Sequence, residues 1–299
     1  MPHDVKETLS KAVSLLSEAK VSSPQVDAEL LLAHACDVER SQLLPLSEIT
    51  DEQVSAFNAL VARRANRVPL QHLTGIANFR HLSVAVGPGV FVPRSETELL
   101  VDAAIAHLKQ IPAPRNAVDL CAGSGAIALS IALEVPGTIV LAVELSEDAV
   151  RWLAHNVVDH AAQLEAVGSH VYIHHGDAGD RTLLADMVGQ LDAVVTNPPY
   201  IPQDMIPRDT EAREHDPAMA LFSGADGLDV AREVIVVAAD LLKPGGFFGM
   251  EHADVQGASV PALLSDMSGI WQDVIDNHDY NQLPRFTTAI RTNEPSVGR

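Results

Sequence analysis

The chain has 299 residues, 47% hydrophobic and 20% charged, a balance that excludes an intrinsically disordered protein and leaves room for one large or two modest globular domains. Lysine and arginine number 20 against 40 acidic residues, and the formal charge of −20 argues against tight non-specific binding to nucleic acid, whose phosphates need clustered cations. Two cysteines far apart in sequence, Cys36 and Cys121, fit a reduced cytoplasmic setting better than a disulfide scaffold, and no apolar run reaches the roughly 18 residues of a membrane span.

Met1-Pro2-His3-Asp4 lacks the basic-then-apolar pattern of a leader peptide, so the protein is expected to stay where it is made. Val5, Leu9, Ala12, Val13, Leu16 and Ala19 then recur at helical spacing. Ser23-Pro24 places a cap residue before a proline suited to the first helical position, ahead of Val26, Leu30, Leu31 and Ala35. Thr50 to Gln53 reads as a capping box before Val54, Phe57, Leu60 and Val61. Residues 1–73 are therefore expected to form a helical bundle, fit either for packing or for recognising a partner. Alternating segments between Gly75 and Val86, closed by Gly87-Pro88-Gly89, predict a β-hairpin linker over residues 74–92. Arg94 and Glu96 precede a helix predicted from Leu99 to Leu108, and pairing or capping is their simplest use.

Residues 93–299 make the remaining domain. The pattern predicts strands at 117–120, 138–143, 170–174, 193–196 and 246–250, alternating with helices at 125–135, 146–160, 181–188 and 228–242. Strands spaced by helices require an α/β fold, a mostly parallel, Rossmann-like sheet covered on both faces. A last strand, at 285–291, follows a weakly patterned stretch so closely that it is expected to run antiparallel.

Asp119-Leu120-Cys121-Ala122-Gly123-Ser124-Gly125 follows the first of these strands and opens a helix, where an α/β sheet binds nucleotides. Gly123 and Gly125 let backbone approach a ligand, and Ala128 is small where helix meets strand. Glu144, at the end of the second strand, can accept two ribose hydroxyls, while Asp177 and Ala178 after the third can meet an adenine ring. Such loops serve NAD, FAD and S-adenosylmethionine alike, and a plain tight turn is the bland alternative.

The fourth strand ends in Asn197-Pro198-Pro199-Tyr200. Two prolines fix φ and remove two donors, leaving the Asn197 side-chain oxygen and the Pro198 carbonyl as preset acceptors. Together they can take both hydrogens of a planar –NH2 group while the Tyr200 ring covers its face. An amide nitrogen is a poor nucleophile because its lone pair is delocalised, and accepting both hydrogens favours the pyramidal form that attacks. The bland reading is a loop that merely ends a sheet. An amine-holding corner beside a nucleoside site asks for a donor of an electrophilic group, which S-adenosylmethionine is; NAD would need a proton acceptor for an alcohol, and none is evident. His174-His175 point to opposite faces of a strand end, so a metal site is not expected. Cys121 is read as a packing residue and Glu251-His252 as polar residues at the core edge.

The chain resembles the HemK/PrmC family of peptide chain release factor glutamine methyltransferases. The resemblance is carried by Pro69 to Gly75, Val86 to Glu98, Asp119 to Leu129, Asn197 to Tyr200, Leu221 to Val230 and Pro284 to Arg291. It implies a class I methyltransferase domain that transfers a methyl group from S-adenosyl-L-methionine to the side-chain amide of the glutamine in the release factors' Gly-Gly-Gln motif. Carried over by position, Cys121 to Gly125, Glu144, Ala178 and Asn197 would line the cofactor, and Asn197 to Tyr200 the substrate amide. The helical bundle would recognise the release factor, and a cytoplasmic monomer without direct nucleic-acid or membrane binding is expected. Three departures stand out. Cys121 replaces the family's first glycine, so its backbone is expected to avoid a left-handed conformation; Glu144 stands where aspartate is common; Ser95 stands where proline is usual. A sibling acting on a ribosomal-protein glutamine, an amino methyltransferase of nucleic acid and a non-catalytic cofactor-binding scaffold remain as alternatives.

Overall fold

Asp4 caps the helix Val5–Glu18 by accepting the Glu7 amide, and Thr50 with Gln53 forms the expected capping box of the helix Asp51–Ala65. Pro24 begins the helix Pro24–Cys36, although Ser23 makes no capping hydrogen bond. A short helix, Leu70–Thr74, closes the series at Gly75 in a left-handed conformation. The apolar faces of these helices meet around Leu16, Leu31, Leu32 and Phe57, all fully buried. This computed structural model describes residues 3–43 and 45–293; residues 1–2, 44 and 294–299, which fall within the expected domain limits, lie outside the described residues. The chain divides into two compact units, Met1–Ile76 together with Ile206–Asp216, and Ala77–Met205 together with Pro217–Arg299.

The second unit is built on a seven-stranded sheet. Its strands are β1 (Arg115–Leu120), β2 (Thr138–Glu144), β3 (His170–His175), β4 (Leu191–Thr196), β5 (Leu242–Glu251), β6 (Trp271–His278) and β7 (Pro284–Arg291). The spatial order is β6-β7-β5-β4-β1-β2-β3, with β7 antiparallel to both of its neighbours and the pairs from β5 to β3 parallel. Because both faces are covered, β4 is buried end to end and β1 from Ala117 to Leu120. Ala117, Ala193 and Val195 pack on one side, and Val118, Leu120 and Val194 on the other. Before the sheet, the strands Ile76–Phe79 and Leu82–Ala85 form the expected hairpin. The Asn156 side chain ties it down, accepting from the Ala85 N–H at 2.7 Å and donating to the carbonyls of Ala85 and Ser124 at 3.0 and 2.9 Å.

Two expectations need correction. The helix predicted over 181–188 is only a 3₁₀ turn, Ala185–Met187: the Asp180 carboxylate accepts from both the amide and the hydroxyl of Thr182 and so offers the backbone a turn instead. The weakly patterned stretch before the last strand holds the helix Ser259–Asp266 and β6. Register shifts between Gln272 and Ile275 and at His278 break β6's alternation of inside and outside.

Candidate active site

β1 pairs with β2 on one side and β4 on the other, so crossovers leave it in opposite directions and a crevice opens at the carboxyl ends of the strands. Leu120 pairs with Thr196, whose hydroxyl donates to the Leu120 carbonyl at 2.6 Å, so the loops beginning at Cys121 and Asn197 leave the sheet side by side. A cavity of about 280 Å³ occupies this crevice. Cys121 to Ser124 line it from β1, Glu144 from β2, Asp177 and Ala178 from beyond β3, and Asn197, Pro199 and Tyr200 from β4. Three residues read from sequence as site residues stand behind the wall instead. Asp119 is fully buried and braces the loop by accepting the Ala128 N–H at 3.1 Å; Gly125 packs against Leu153; Pro198 is buried and is not among the residues that line the cavity.

The β1 loop is held from several directions. Glu144 accepts the Gly123 N–H at 2.8 Å and the Ser146 N–H at 2.7 Å, one on each oxygen. At Gly123, with φ +56°, the space a side chain would occupy is open, so the ligand side of the loop is bare backbone. Cys121 corrects an expectation: its φ is +65°, left-handed although it is not glycine. The hydrogen bond from Ala122 N–H to the Val143 carbonyl and the buried wall around the thiol fix that turn, at a strain of roughly 1–2 kcal/mol. Burial, with Glu144 and Asp119 nearby, pushes the thiol far above its ordinary pKa, so it sits there as a neutral packing group.

The β4 corner is pinned at both ends. After Tyr200 the chain bridges to a second segment, with Ile201 N–H donating to the Leu221 carbonyl at 2.8 Å and Ser223 N–H to the Ile201 carbonyl at 2.9 Å. The buried Gln256 amide donates to the carbonyls of Tyr200 (3.0 Å), Asp226 (3.3 Å) and Gly227 (3.4 Å), stitching corner and segment together. Among the described residues, the Asn197 and Pro198 carbonyls accept no hydrogen bond from the protein. Asn197 Nδ2 lies 3.3 Å from Thr97 Oγ1, Thr97 Oγ1 lies 2.6 Å from Glu251 Oε2, and the Tyr200 hydroxyl lies 3.5 Å from Glu251 Oε1. Thr97, Glu251 and Gln256 were not legible as site residues. Glu251 and His252 do diverge as neighbours on a strand must: His252 turns to Thr287, at 2.9 Å, and Glu251 turns to the corner.

Gly227 explains why the 221–230 segment recurs with the corner in the resemblance. Its φ is +77°, and a Cβ there would stand 2.2 Å from the Tyr200 carbonyl oxygen and 2.9 Å from Gln256 Nε2. Gly227→Ala is expected to cost about 2 kcal/mol or more through strain and overlap, lowering the melting temperature by several degrees. An unchanged thermal melt would show that the segment yields without cost.

Two family models match the chain, one described as the PrmC N-terminal domain over residues 7–75 and one as the methyltransferase small domain over residues 82–212. The release factor glutamine methyltransferase of Streptomyces coelicolor is 46% identical over 287 residues, covering 94% of this chain and 96% of that protein. The release factor glutamine methyltransferase of Mycolicibacterium smegmatis is 42% identical, covering 96% of this chain and 98% of its own. A 4-amino-L-phenylalanine/4-methylamino-L-phenylalanine methyltransferase of Streptomyces pristinaespiralis is 38% identical, covering 89% of this chain and 88% of that one.

Proposed function

The chain belongs to the release factor glutamine methyltransferase family, and from that membership we infer that it transfers a methyl group from S-adenosyl-L-methionine to the side-chain amide nitrogen of a release-factor glutamine, the one in the Gly-Gly-Gln motif. The observation that carries the site reading is that Asn197 and Tyr200 face the same cavity as Glu144 and the bare backbone of Gly123. When bound, the cofactor supplies an electrophilic methyl group on a sulfonium.

The residues present fit that group. Gly123 offers open space against backbone, Glu144 keeps lone pairs on both oxygens beyond the two amides it already accepts, and Asp177 and Ala178 close the far side. Glu144→Ala is expected to weaken cofactor binding about tenfold or more, the worth of hydrogen bonds to a charged acceptor, with the amide's turnover at saturating cofactor less affected. A calorimetric affinity equal to wild type would remove Glu144 from the ribose role.

Asn197 Oδ1 and the Pro198 carbonyl accept the two hydrogens of the glutamine –NH2, and the Tyr200 ring covers its plane. So held, the nitrogen is favoured in its pyramidal form with its lone pair open to the cavity, where bound S-adenosyl-L-methionine would supply the methyl group and leave as the neutral thioether. No strong base is required, because the alkylated nitrogen is acidic enough to release its proton to water. The helical unit takes the release factor, and the enzyme works as a cytoplasmic monomer.

The same corner suits any planar –NH2, and a relative named for an aromatic amino acid gives that breadth a concrete form. The test is incubation with labelled methyl donor and, separately, a release factor, bulk RNA and DNA, and 4-amino-L-phenylalanine. Label on the release factor, mapped by mass spectrometry to the Gly-Gly-Gln glutamine, is the expected result. Label on nucleic acid or the free amine, with none on the release factor, would overturn the reading.

A further inference from the structure

We propose that Glu251 is a positioning residue for methyl transfer, acting through Thr97 to set which end of the Asn197 carboxamide faces the substrate. The inference rests on the corner's role described above. It begins from three buried or part-buried groups in a row: Glu251 (2% exposed), Thr97 (4% exposed) and Asn197.

A hydroxyl has one proton to give, and an ionised carboxylate can only accept. At 2.6 Å the Thr97 proton is committed to Glu251 Oε2, so the Thr97 oxygen has only lone pairs left to offer Asn197. The two ends of a carboxamide are nearly the same size, and the partner chooses between them. Here it chooses Nδ2, at 3.3 Å from Thr97 Oγ1. Oδ1 is thereby turned away from Thr97, free to accept a substrate N–H. With Glu251 neutral the polarity can reverse: the acid donates to Thr97, Thr97 donates to Oδ1, and Nδ2 would face a substrate –NH2 that also only donates. Glu251 also stands 3.5 Å from the Tyr200 hydroxyl, so one carboxylate serves both sides of the corner.

The groups facing Glu251 come from every element packed on it: Thr97 and Glu96 at the start of the helix Thr97–Leu108, Tyr200 on the corner, and Arg285 on β7, while His252 turns to Thr287. Burial pushes the Glu251 carboxyl up, and Thr97 and Arg285 pull it back only in part, to about 7. The ionised form is the one that orients Asn197. Turnover is therefore expected to fall as pH drops through about 7, an acid limb read in kcat at saturating substrates.

The experiment compares wild type, Thr97→Val, Thr97→Ser and Glu251→Gln across pH 5.5–8.5 on the order of half-unit steps, with cofactor affinity measured by calorimetry. Thr97→Val is expected to lower kcat about tenfold or more with cofactor affinity within about twofold, and to abolish the acid limb. Thr97→Ser, which restores the hydroxyl, is expected to bring the limb back, and Glu251→Gln to flatten it. A wild-type limb in both Thr97→Val and Glu251→Gln, or a wild-type kcat in Thr97→Val, overturns the inference. If wild type itself does not methylate the release-factor glutamine, the proposed function fails instead, so the two failures are told apart. Thr97→Ser and the near-isosteric Glu251→Gln keep the test decisive should Thr97→Val not fold.

Discussion

Asn197→Ala is expected to reduce kcat by about 10²-fold or more, the scale of losing one positioned contact that strengthens toward the transition state. The side chain removed is the one acceptor of the corner that can be deleted without rebuilding the backbone, since the Pro198 carbonyl stays where the two prolines and the Ile201–Phe222 bridge hold it. Cofactor affinity is expected to change much less, because the β1 loop is braced independently by Glu144, Asp119 and Asn156. The loss should therefore appear in kcat and kcat/KM together rather than in KM alone. Steady-state kinetics on a release factor read it directly, and an unchanged turnover would mean that something else holds the amide.

Arg64→Ala is expected to have the largest effect on stability. Arg64 is nearly fully buried in the first unit, with Nε 2.7 Å from Asp27 Oδ2, Nη1 2.7 Å from Glu211 Oε1 and a further hydrogen bond to the Val68 carbonyl. Arg67 pairs with the other Glu211 oxygen. Removing the guanidinium strands the buried Asp27 carboxylate and leaves Glu211 with Arg67 alone, a change that typically costs about 3–5 kcal/mol. Burial alone would raise the Glu211 carboxyl, but hydrogen bonds led by Arg67 outweigh it and hold it down to about 2. A carboxyl so depressed contributes stability that is present above about pH 4.5 and lost as pH falls toward 2. Denaturant unfolding near pH 7 should show the destabilisation, and hydrogen exchange should locate it in residues 24–65 and 206–216. A loss under about 1 kcal/mol would show that the cluster is open to water.

Much of this molecule could be read from the chain because its local signals agree. Thr50 with Gln53, the alternation of β-branched runs with helical periods, and the Gly123–Gly125 turn each point to the element found there. What stayed hidden depended on long-range contacts. Residues 206–216 belong with the first unit, and there Glu211 meets Arg64 and Arg67, more than 140 positions earlier in the sequence. No periodicity announces that. β6 was invisible because its bulges scramble the alternation. Cys121 takes a conformation that its side chain disfavours, because the register of the loop over β2 dictates it. Of the site, the residues on the two motif loops were legible, whereas Thr97, Glu251 and Gln256 act behind them and carry no motif of their own. Asp119 and Gly125 belong to the loop's sequence signature, yet their contacts are with the protein.

The most direct test is a structure of this protein with a Gly-Gly-Gln peptide and S-adenosyl-L-homocysteine. It should find the glutamine side-chain nitrogen within hydrogen-bond distance of both Asn197 Oδ1 and the Pro198 carbonyl, its open face turned to the sulfur. A peptide whose amide nitrogen lies away from that corner, or is held there by a carboxylate instead, would contradict it.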